Sequence, residues 1–381
     1  MTPSGNQSKK RFSVKYRITA DDEAQATCFA RDVALEQTVE LPESCISDGS
    51  LRDVVMGQVV DIRRAEGDPR RFDATISYHI DTTGYKIPQF LNVLFGNSSM
   101  KDNLKIIKLS LPDEFLGHFS GPCHGIEGLR KKMGIYDRPL ACTALKPMGA
   151  TVKDLAKMAA GFVRGGGDII KDDHGLADQS YHPFRERVLY CQDAVGSANA
   201  ASGNNAMYCP MISGRFDEIE GQVQFAVDND VQGVLIAPLL VGFDTMRYLA
   251  EQYGIVIIGH PALSGVYYSN PDHGITPAVL LGSIYRLLGA DISIFVNYGG
   301  RFPMTKADCL DLSAALRGPM GTLKPSFPSP AGGMSVDKVG EMIQAYGEDT
   351  VFLISGALIQ HAPDMETSTR AFMEKIYQYS A

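Results

Sequence analysis

The first third of the chain alternates apolar and polar positions over short stretches. The pattern predicts strands over 12–19, 54–64, 71–80 and 104–111, with helices that begin near 21–23 and near 87. Strands and helices mixed in this order indicate a small α+β domain of the ferredoxin-like type with an antiparallel sheet. We place this domain at residues 1–137.

From residue 138 onward, apolar runs recur and helix-length amphipathic segments lie between them. The runs lie at 140–146, 168–173, 206–213, 233–242, 255–260, 292–298, 323–333 and 350–358. Eight strand-then-helix units over about 240 residues match a parallel (β/α)8 TIM barrel. A doubly wound open sheet is the competing arrangement, but no GxGxxG fingerprint follows the first strand. The sequence therefore predicts an α/β protein whose barrel domain spans 138–381.

Composition narrows the class of protein. The formal net charge of -8 disfavours nonspecific nucleic-acid binding, which needs a basic surface. The seven cysteines include no CxxC pair, which fits reduced thiols and gives no zinc site. The first twelve residues lack the apolar segment of a secretory signal, and the longest apolar run, 233–243, is far shorter than the ~20 residues of a membrane helix. We expect a cytoplasmic protein.

The predicted barrel gives chemical meaning to the residues that end each strand, because active sites of such barrels lie at the carboxyl ends of the strands. Metal-type ligands, titratable groups and glycine turns occur at these positions. They are Lys146 after the first strand, Lys171, Asp173 and His174 at the second, His260 after the fifth, Asn297 after the sixth, Gly332 and Gly333 after the seventh, and Ser355 and Gly356 after the eighth.

The second strand ends in a lysine, two aspartates and a histidine. Alternate residues of a strand share a face, so Lys171 and Asp173 point one way and Asp172 the other. A lysine ammonium repels a cation, but a carbamate formed from the amine and carbon dioxide would be an oxygen ligand. Lys171 as a carbamate, Asp173 and His174 would then suit Mg²⁺, or Mn²⁺ because of the imidazole. The alternative is a simple salt bridge between Lys171 and Asp173.

Two glycine turns and one histidine extend the candidate site. In barrels, a phosphate commonly binds backbone N–H groups after strands seven and eight, where "SPAGGMS" and "LISGAL" lie. The alternative is that these glycines only permit tight turns. His260 is either a general acid or base, or a residue that only hydrogen-bonds a substrate.

These motifs together resemble the large subunit of ribulose bisphosphate carboxylase (RuBisCO), and more closely the non-carboxylating RuBisCO-like, or form IV, proteins. "GGGDIIKDDH" resembles the GGxDxxKDDE of that family, "FSGPCHGI" its FQGPxHGI, and "GIVIIGHPA" its LLxHIHRA. "SPAGG" is similar to ASGG, "GEDTVFLISG" to GDDxxxxxGGG, and "LFGN" to VxGN. The resemblance covers nearly the whole chain.

The resemblance implies a role for each matching position. Lys171 takes the place of the carbamylated lysine and Asp173 that of a magnesium ligand, whereas His174 stands where the family has a glutamate ligand. His260 matches a substrate-binding histidine. Phosphate-binding backbone is matched by Gly332, Gly333, Ser355 and Gly356. Glu36 and Asn97 match residues that reach into the active site of the neighbouring subunit, which implies a homodimer with shared sites.

The departures from the family pattern concern carboxylation. Pro261 replaces an arginine, Ser264 a histidine and Ala331 a serine, and "DISIFVNYGG" has no counterpart of the histidine of strand six. The lysine that closes over carbon dioxide is missing from "YGGRFPM". Three of these lost groups contact the second phosphate in the family, so the resemblance implies a monophosphate substrate. With a one-residue shift, Lys146 matches a strand-one lysine and becomes the candidate base.

The residues that remain are still suited to forming an enolate that a metal ion stabilises. We expect a non-carboxylating enzyme, an isomerase or carbon–carbon lyase, that forms an enediolate from a phosphorylated ketose or oxo-sugar acid. The relatives imply a 5-methylthioribulose-1-phosphate isomerase-type reaction. The alternatives are a diketo-methylthiopentyl phosphate enolase or a 3-oxo-isoapionate-4-phosphate decarboxylase or transcarboxylase. A non-catalytic binding protein is the rival, which His174 in place of a carboxylate favours.

Overall fold

The computed structural model describes residues 10–49 and 51–380. The polar amino-terminal stretch, for which the sequence predicts no secretory signal, lies outside the described residues up to residue 9. Within the described ranges, no helix combines the length and the hydrophobicity that crossing a membrane would require. Strands β1 to β14 are numbered along the chain below.

One compact unit contains the described residues up to Phe119, together with Ser264–Ser283 and Pro319–Leu323. Its sheet consists of β1 (Arg11–Thr19), β2 (Gln58–Arg64), β3 (Arg71–His79), β4 (Leu104–Ser110) and β11 (Gly274–Ile275), in the order β11-β4-β1-β3-β2. The pairs among the first four strands are antiparallel, and β11 pairs with β4 in parallel. Every second residue of β1 is buried, so one face of this strand belongs to the core.

The first unit also contains four α-helices among its described residues. They are Glu23–Glu36, Ile87–Phe95, Asp113–Leu116 and Gly265–Tyr268, with short 3-10 segments at Glu43–Cys45, Ile80–Thr83 and Asn97–Met100 and a π-helical turn at Leu51–Val55. The order β4-β1-β3-β2 with two main helices confirms the predicted ferredoxin-like α+β arrangement. The fifth strand, β11, was not predicted, because two residues carry no periodic signal.

The second unit contains Ser120–Leu263, Ile284–Gly318 and the described residues from Lys324 onward. Its parallel strands are β5 (Leu140–Leu145), β6 (Ile169–Asp172), β7 (Met207–Cys209), β8 (Met211–Ile212), β9 (Gly233–Ile236), β10 (Val256–Gly259), β12 (Ile292–Val296), β13 (Phe327–Ala331) and β14 (Val351–Leu353). The ladders run β14-β5-β6-β7 and β8-β9-β10-β12-β13, and β13 lies beside β14. The predicted eight-stranded parallel barrel is confirmed; the division between residues 137 and 138 stays a prediction.

The third barrel strand is split by Pro210 into β7 and β8. Proline has no backbone N–H, so it cannot continue the ladder as a donor. Its carbonyl accepts a hydrogen bond of 2.9 Å from the Leu235 backbone N–H. The strand thereby passes from pairing with β6 to pairing with β9.

The helices of the second unit precede, connect and follow the barrel strands. They are Gly125–Met133, Val152–Arg164, Phe184–Ser202, Phe216–Asp228, Pro238–Val241, Phe243–Tyr253, Tyr285–Leu287, Lys306–Arg317, Val339–Tyr346, Gly356–His361 and Met365–Ser380, with a 3-10 turn at Val336–Lys338. The π-helical segment Ala278–Ile284 precedes Tyr285–Leu287 and belongs to the first unit up to Ser283. The apolar run 233–242 was predicted as one strand, which is wrong beyond Ile236: the strand ends there, and Pro238 begins a helical turn.

The barrel interior is filled by apolar side chains that project from alternate strand positions. Leu140, Cys142, Ile169, Leu235 and Val256 belong to this core, which also packs against the helix Gly125–Met133. That helix lies at the amino ends of the strands, where the Ile126 backbone N–H donates to Pro325 O. The polar side chains at the opposite ends of the strands therefore lie directly above a tightly packed apolar core.

Candidate active site

Predicted site residues lie together at the carboxyl ends of three barrel strands. Lys146 follows β5, Asp173 and His174 follow β6, and His260 follows β10. Lys171 occupies the third position of β6, in register with Ala144 of β5 and Cys209 of β7. Because parallel strands end on one rim, the barrel brings these distant residues to one place.

The two faces of the β6 tip have different partners, as strand alternation predicts. Asp172 is fully buried and accepts hydrogen bonds from Arg187 Nε at 2.9 Å, Tyr208 Oη at 2.8 Å and the Met211 backbone N–H at 3.0 Å. This carboxylate is thus satisfied on the outer face, away from Lys171 and Asp173.

Lys171 is a buried amine with little compensation for its charge. Its side chain is nearly inaccessible, and its Nζ donates to Asp172 O at 3.1 Å. Burial lowers the pKa of this amine below its usual range, although the nearby Asp173 carboxylate acts in the opposite direction. A larger neutral fraction of the amine is available as a nucleophile, and carbamate formation requires a neutral amine.

Asp173 is the anion around which the inward-facing cations gather. Its Oδ1 lies 3.3 Å from Lys146 Nζ and 3.4 Å from His174 Nδ1. Burial alone would raise the pKa of this carboxyl, but the hydrogen bond with His174 and the charges of Lys171 and Lys146 outweigh it and hold the pKa well below the usual range. Asp173 is therefore ionised at neutral pH.

His260 and His174 form a stacked pair at the mouth of the barrel. Their ring centroids are 4.4 Å apart, with planes inclined by 15°. Burial, reinforced by the charges of Lys171 and His174, holds the pKa of His260 well below its usual range, so this imidazole is neutral. His260 Nδ1 accepts a hydrogen bond of 3.1 Å from the Ala262 backbone N–H. The proton of the neutral ring is thus assigned to Nε2, which can donate to a ligand.

The donor set fits a divalent cation only if Lys171 takes part. Among the described residues, no group of three or more His, Cys, Asp or Glu side chains is arranged to hold a metal ion. Asp173 and His174 supply an oxygen and a nitrogen at 3.4 Å from each other, a separation compatible with two adjacent ligands of one ion. A carbamate on the buried Lys171 would supply the third ligand. The residues therefore fit the predicted metal under that one condition.

The glycine turns after β13 and β12 lie against each other. Gly332 and Gly333 have φ values of 72° and 117°, which side-chain-bearing residues rarely adopt. A Cβ at Gly333 would lie 2.4 Å from Gly300 Cα, and a Cβ at Gly300 would lie 2.0 Å from Gly332 O. After β14, Ser355 Oγ donates to Ala144 O at 3.0 Å, and a Cβ at Gly356 would meet no atom within 4 Å. These turns leave backbone close to the rim, as phosphate binding would require.

Other predicted residues lie elsewhere. Asn297 does not join the cluster: it is buried, its amide donates to the sulfur atoms of Met334 and Met342, and it accepts a hydrogen bond of 2.6 Å from Tyr346 Oη. It follows β12 at the strand end as predicted, but the expectation that its side chain faces the common pocket was wrong, because the side chain points outward to these partners. Glu36 and Asn97 belong to the other unit, where Asn97 Nδ2 donates to Glu36 Oε1 at 3.0 Å.

Arg187 is a residue that the sequence analysis missed. It is fully buried in the helix Phe184–Ser202, and besides Asp172 it binds the carbonyls of Ala177 and His182 at 2.7 and 2.9 Å. These contacts fasten the loop that carries His174 to the outer face of β6. The available signal was an arginine in the same helical stripe as Phe184, Val188 and Cys191, all of which are buried.

Known proteins resemble this chain over most of its length. Residues 125–299 match the model of the ribulose bisphosphate carboxylase large chain, catalytic domain. The chain is 38% identical over 368 residues to the 5-methylthioribulose-1-phosphate isomerase of Rhodospirillum rubrum, which covers 96% of each chain. It is 31% identical to a 2,3-diketo-5-methylthiopentyl-1-phosphate enolase of Bacillus cytotoxicus, over 76% of this chain and 71% of that one.

A solved structure matches the fold over nearly its whole length. The crystal structure of a Rubisco-like protein from Rhodopseudomonas palustris superposes with a TM-score of 0.88 and 36% sequence identity, covering 98% of this chain and 99% of that chain. The amino-terminal mixed sheet and the barrel are therefore both shared with this relative.

Proposed function

Because the chain belongs to the RuBisCO large-chain family as a RuBisCO-like protein, we propose that it is a non-carboxylating enzyme that isomerises a 5-methylthioribulose 1-phosphate-type ketose through an enediolate. The observation that carries the proposal is the inward cluster of Lys146, Lys171, Asp173, His174 and His260 at the barrel mouth. The full-length similarity to an isomerase favours this reaction over the enolase reaction, whose representative covers less of the chain.

The metal-binding part of the proposal rests on three side chains. Lys171 as a carbamate, Asp173 and His174 would hold Mg²⁺ or Mn²⁺, and the bound ion would stabilise negative charge on the oxygens of the substrate. The buried amine of Lys171, whose pKa burial lowers, and the ionised Asp173 support this assignment.

The remaining residues bind the substrate and move its protons. Isomerisation removes a proton from a carbon beside the carbonyl and returns one to the neighbouring carbon. Lys146, partly exposed beside Asp173, is the candidate base whose Nζ takes and returns this proton. His260 donates from Nε2 to a substrate oxygen, since Nδ1 is already an acceptor. The backbone at Gly332, Gly333, Ser355 and Gly356 is the candidate site for a single phosphate.

The homodimer is a second part of the proposal. Glu36 and Asn97 bind each other on their own unit, and we propose that this pair completes the active site of a second copy of the chain. Mixing a Lys171→Ala chain with an Asn97→Ala chain is expected to restore part of the activity that each variant lacks alone. No recovery after refolding the mixture would contradict shared sites.

Proton exchange tests the isomerase proposal. The wild type in D₂O, with Mg²⁺ and bicarbonate, is expected to exchange carbon-bound hydrogen of 5-methylthioribulose 1-phosphate, as followed by proton NMR. Lys171→Ala is expected to lose at least about 10³-fold in rate, because the metal site loses a ligand. Lys153→Ala, an exposed lysine on the helix Val152–Arg164, is the matched control. Exchange that persists undiminished in Lys171→Ala contradicts the assigned metal site.

The non-catalytic alternative is supported by His174, which stands where the family has a carboxylate. It predicts that the protein binds neither Mg²⁺ nor Mn²⁺. Calorimetric titration of each metal, with and without bicarbonate, separates the two proposals: binding that depends on bicarbonate supports the enzyme, and no binding under any condition supports the alternative.

A further inference from the structure

Met148 is an apolar side chain placed among the polar groups of the candidate active site. It lies two residues beyond Lys146, in the turn between β5 and the helix Val152–Arg164, and 52% of its surface is exposed. A single exposed apolar residue is ordinary in itself. Its neighbour in space is what makes this one informative.

Met148 lies over Gly175, which directly follows Asp173 and His174. A Cβ built on Gly175 would lie 2.6 Å from Met148 Cε and 4.0 Å from Asp173 Oδ2. The terminal methyl group of Met148 and the Asp173 carboxylate thus flank the same backbone position. A glycine at 175 leaves the space that the thioether occupies, so Met148 is seated beside the metal-ligand candidates and still presents an open apolar surface.

A methionine in this place suits a ligand with a small, polarisable apolar end. The thioether is unbranched and flexible, and it packs against sulfur and methyl groups without requiring a fixed shape. A sugar phosphate offers hydroxyl groups along its whole length and would gain little from such a contact. A 5-methylthio sugar phosphate instead has one end that is apolar and one that is anionic.

We infer that Met148 is a specificity-determining residue that contacts the methylthio end of the substrate and selects it over a hydroxyl-terminated analogue. This inference rests on the proposed isomerase function and names the residue that recognises the methylthio group of the substrate. The candidate phosphate-binding turns after β13 and β14 would bind the phosphate end of the substrate. Discrimination of about 10- to 100-fold is the range that one apolar contact supplies.

The experiment compares two substrates that differ only at carbon five. kcat and KM are measured for 5-methylthioribulose 1-phosphate and for ribulose 1-phosphate, which carries a hydroxyl group in place of the methylthio group. Met148→Gln is expected to lower the ratio of the two kcat/KM values about tenfold, mainly through a higher KM for the methylthio substrate. Met148→Leu, which keeps an apolar surface, is expected to retain most of the wild-type ratio.

Three further measurements make the outcome unambiguous. Leu189→Gln changes another exposed apolar residue, on the helix Phe184–Ser202, and controls for general effects of the substitution. Leu263→Gln and Phe302→Gln test two exposed apolar residues that follow β10 and β12. A change of ratio in either of these variants but not in Met148→Gln overturns the assignment to Met148.

Failure of the inference differs from failure of the proposed function. If the wild type turns over the methylthio substrate and Met148→Gln lowers both kcat/KM values equally, the function stands and the inference falls. If the wild type turns over neither compound, the proposed function falls, and the calorimetric affinities of the wild type and Met148→Gln for the two sugar phosphates test the inference in place of the kinetic ratio. Binding of neither compound would overturn both.

Discussion

On the outward face of β6, the Asp172 carboxylate meets a guanidinium, a phenol and a backbone N–H, and all of these groups are buried. On the inward side of the same strand end, Lys171 Nζ donates to Asp172 O, and Asp173 Oδ1 lies 3.3 Å from Lys146 Nζ and 3.4 Å from His174 Nδ1. Adjacent residues of similar chemistry therefore differ in what surrounds them. The charged groups on the outward face pair with each other and stabilise the strand, whereas the charged groups on the inward face can interact with a ligand.

The largest effect on stability is expected when the guanidinium of Arg187 is removed from the outward face. Arg187→Ala leaves the Asp172 carboxylate buried without its main partner, which should lower the free energy of unfolding by about 3–5 kcal/mol. Chemical denaturation with a check of the m-value measures this loss. Arg185→Ala, on the same helix, is the control. A loss below about 1 kcal/mol would show that the outward pair does not fix the strand.

The next effect concerns activity on the inward face. Asp173→Asn keeps the size of the side chain and removes the negative charge, so we expect the exchange rate to fall about 10³-fold, equivalent to about 4 kcal/mol of barrier. Asp172→Asn is the matched comparison and should lower stability more than Asp173→Asn does. Equal effects of the two variants on stability, measured by denaturation, would remove the contrast between the faces.

The smallest expected effect is an increase in the free energy of unfolding, in contrast to the losses above. Burial lowers the pKa of Lys171 in the folded chain, whereas the unfolded chain keeps the ordinary lysine pKa of about 10.4, so the unfolded chain holds this proton more strongly. The folded state is consequently disfavoured as the pH falls below that value. In metal-free buffer without bicarbonate, Lys171→Met should raise the free energy of unfolding by about 1 kcal/mol at pH 7, and less as the pH approaches 10. Lys153→Met should show no such trend, and destabilisation of Lys171→Met at pH 7 would contradict the argument.

The sequence predicted what depends on regular periodicity and missed what depends on a single buried contact. Apolar runs located β5, β6 and β10, and strand alternation separated Asp172 from its neighbours. The run 233–242 concealed the end of β9, because a proline-initiated turn is as apolar as the strand before it. Arg187 escaped attention because surface arginines are common and its partner becomes visible only when the helix packs on the strand.

The same limit applies to the candidate site. Its residues follow from strand ends, whereas the stacking of His174 on His260 and the seat of Met148 on Gly175 depend on loop conformations that have no period. Asn297 stands at a strand end like the others, yet Tyr346 and two methionines hold it outward. Position at a strand end is thus insufficient without the direction of the side chain.

The short strand Gly274–Ile275 joins the first sheet although it lies more than 150 residues beyond β4 in the chain. A ribosome that adds about 5–20 residues per second needs ~10–30 seconds to reach it after β4 has emerged. Until then, the nascent amino-terminal sheet has an unpaired edge at β4, where chaperones or other chains can bind. Fragments that stop before residue 274 should inherit this vulnerability permanently.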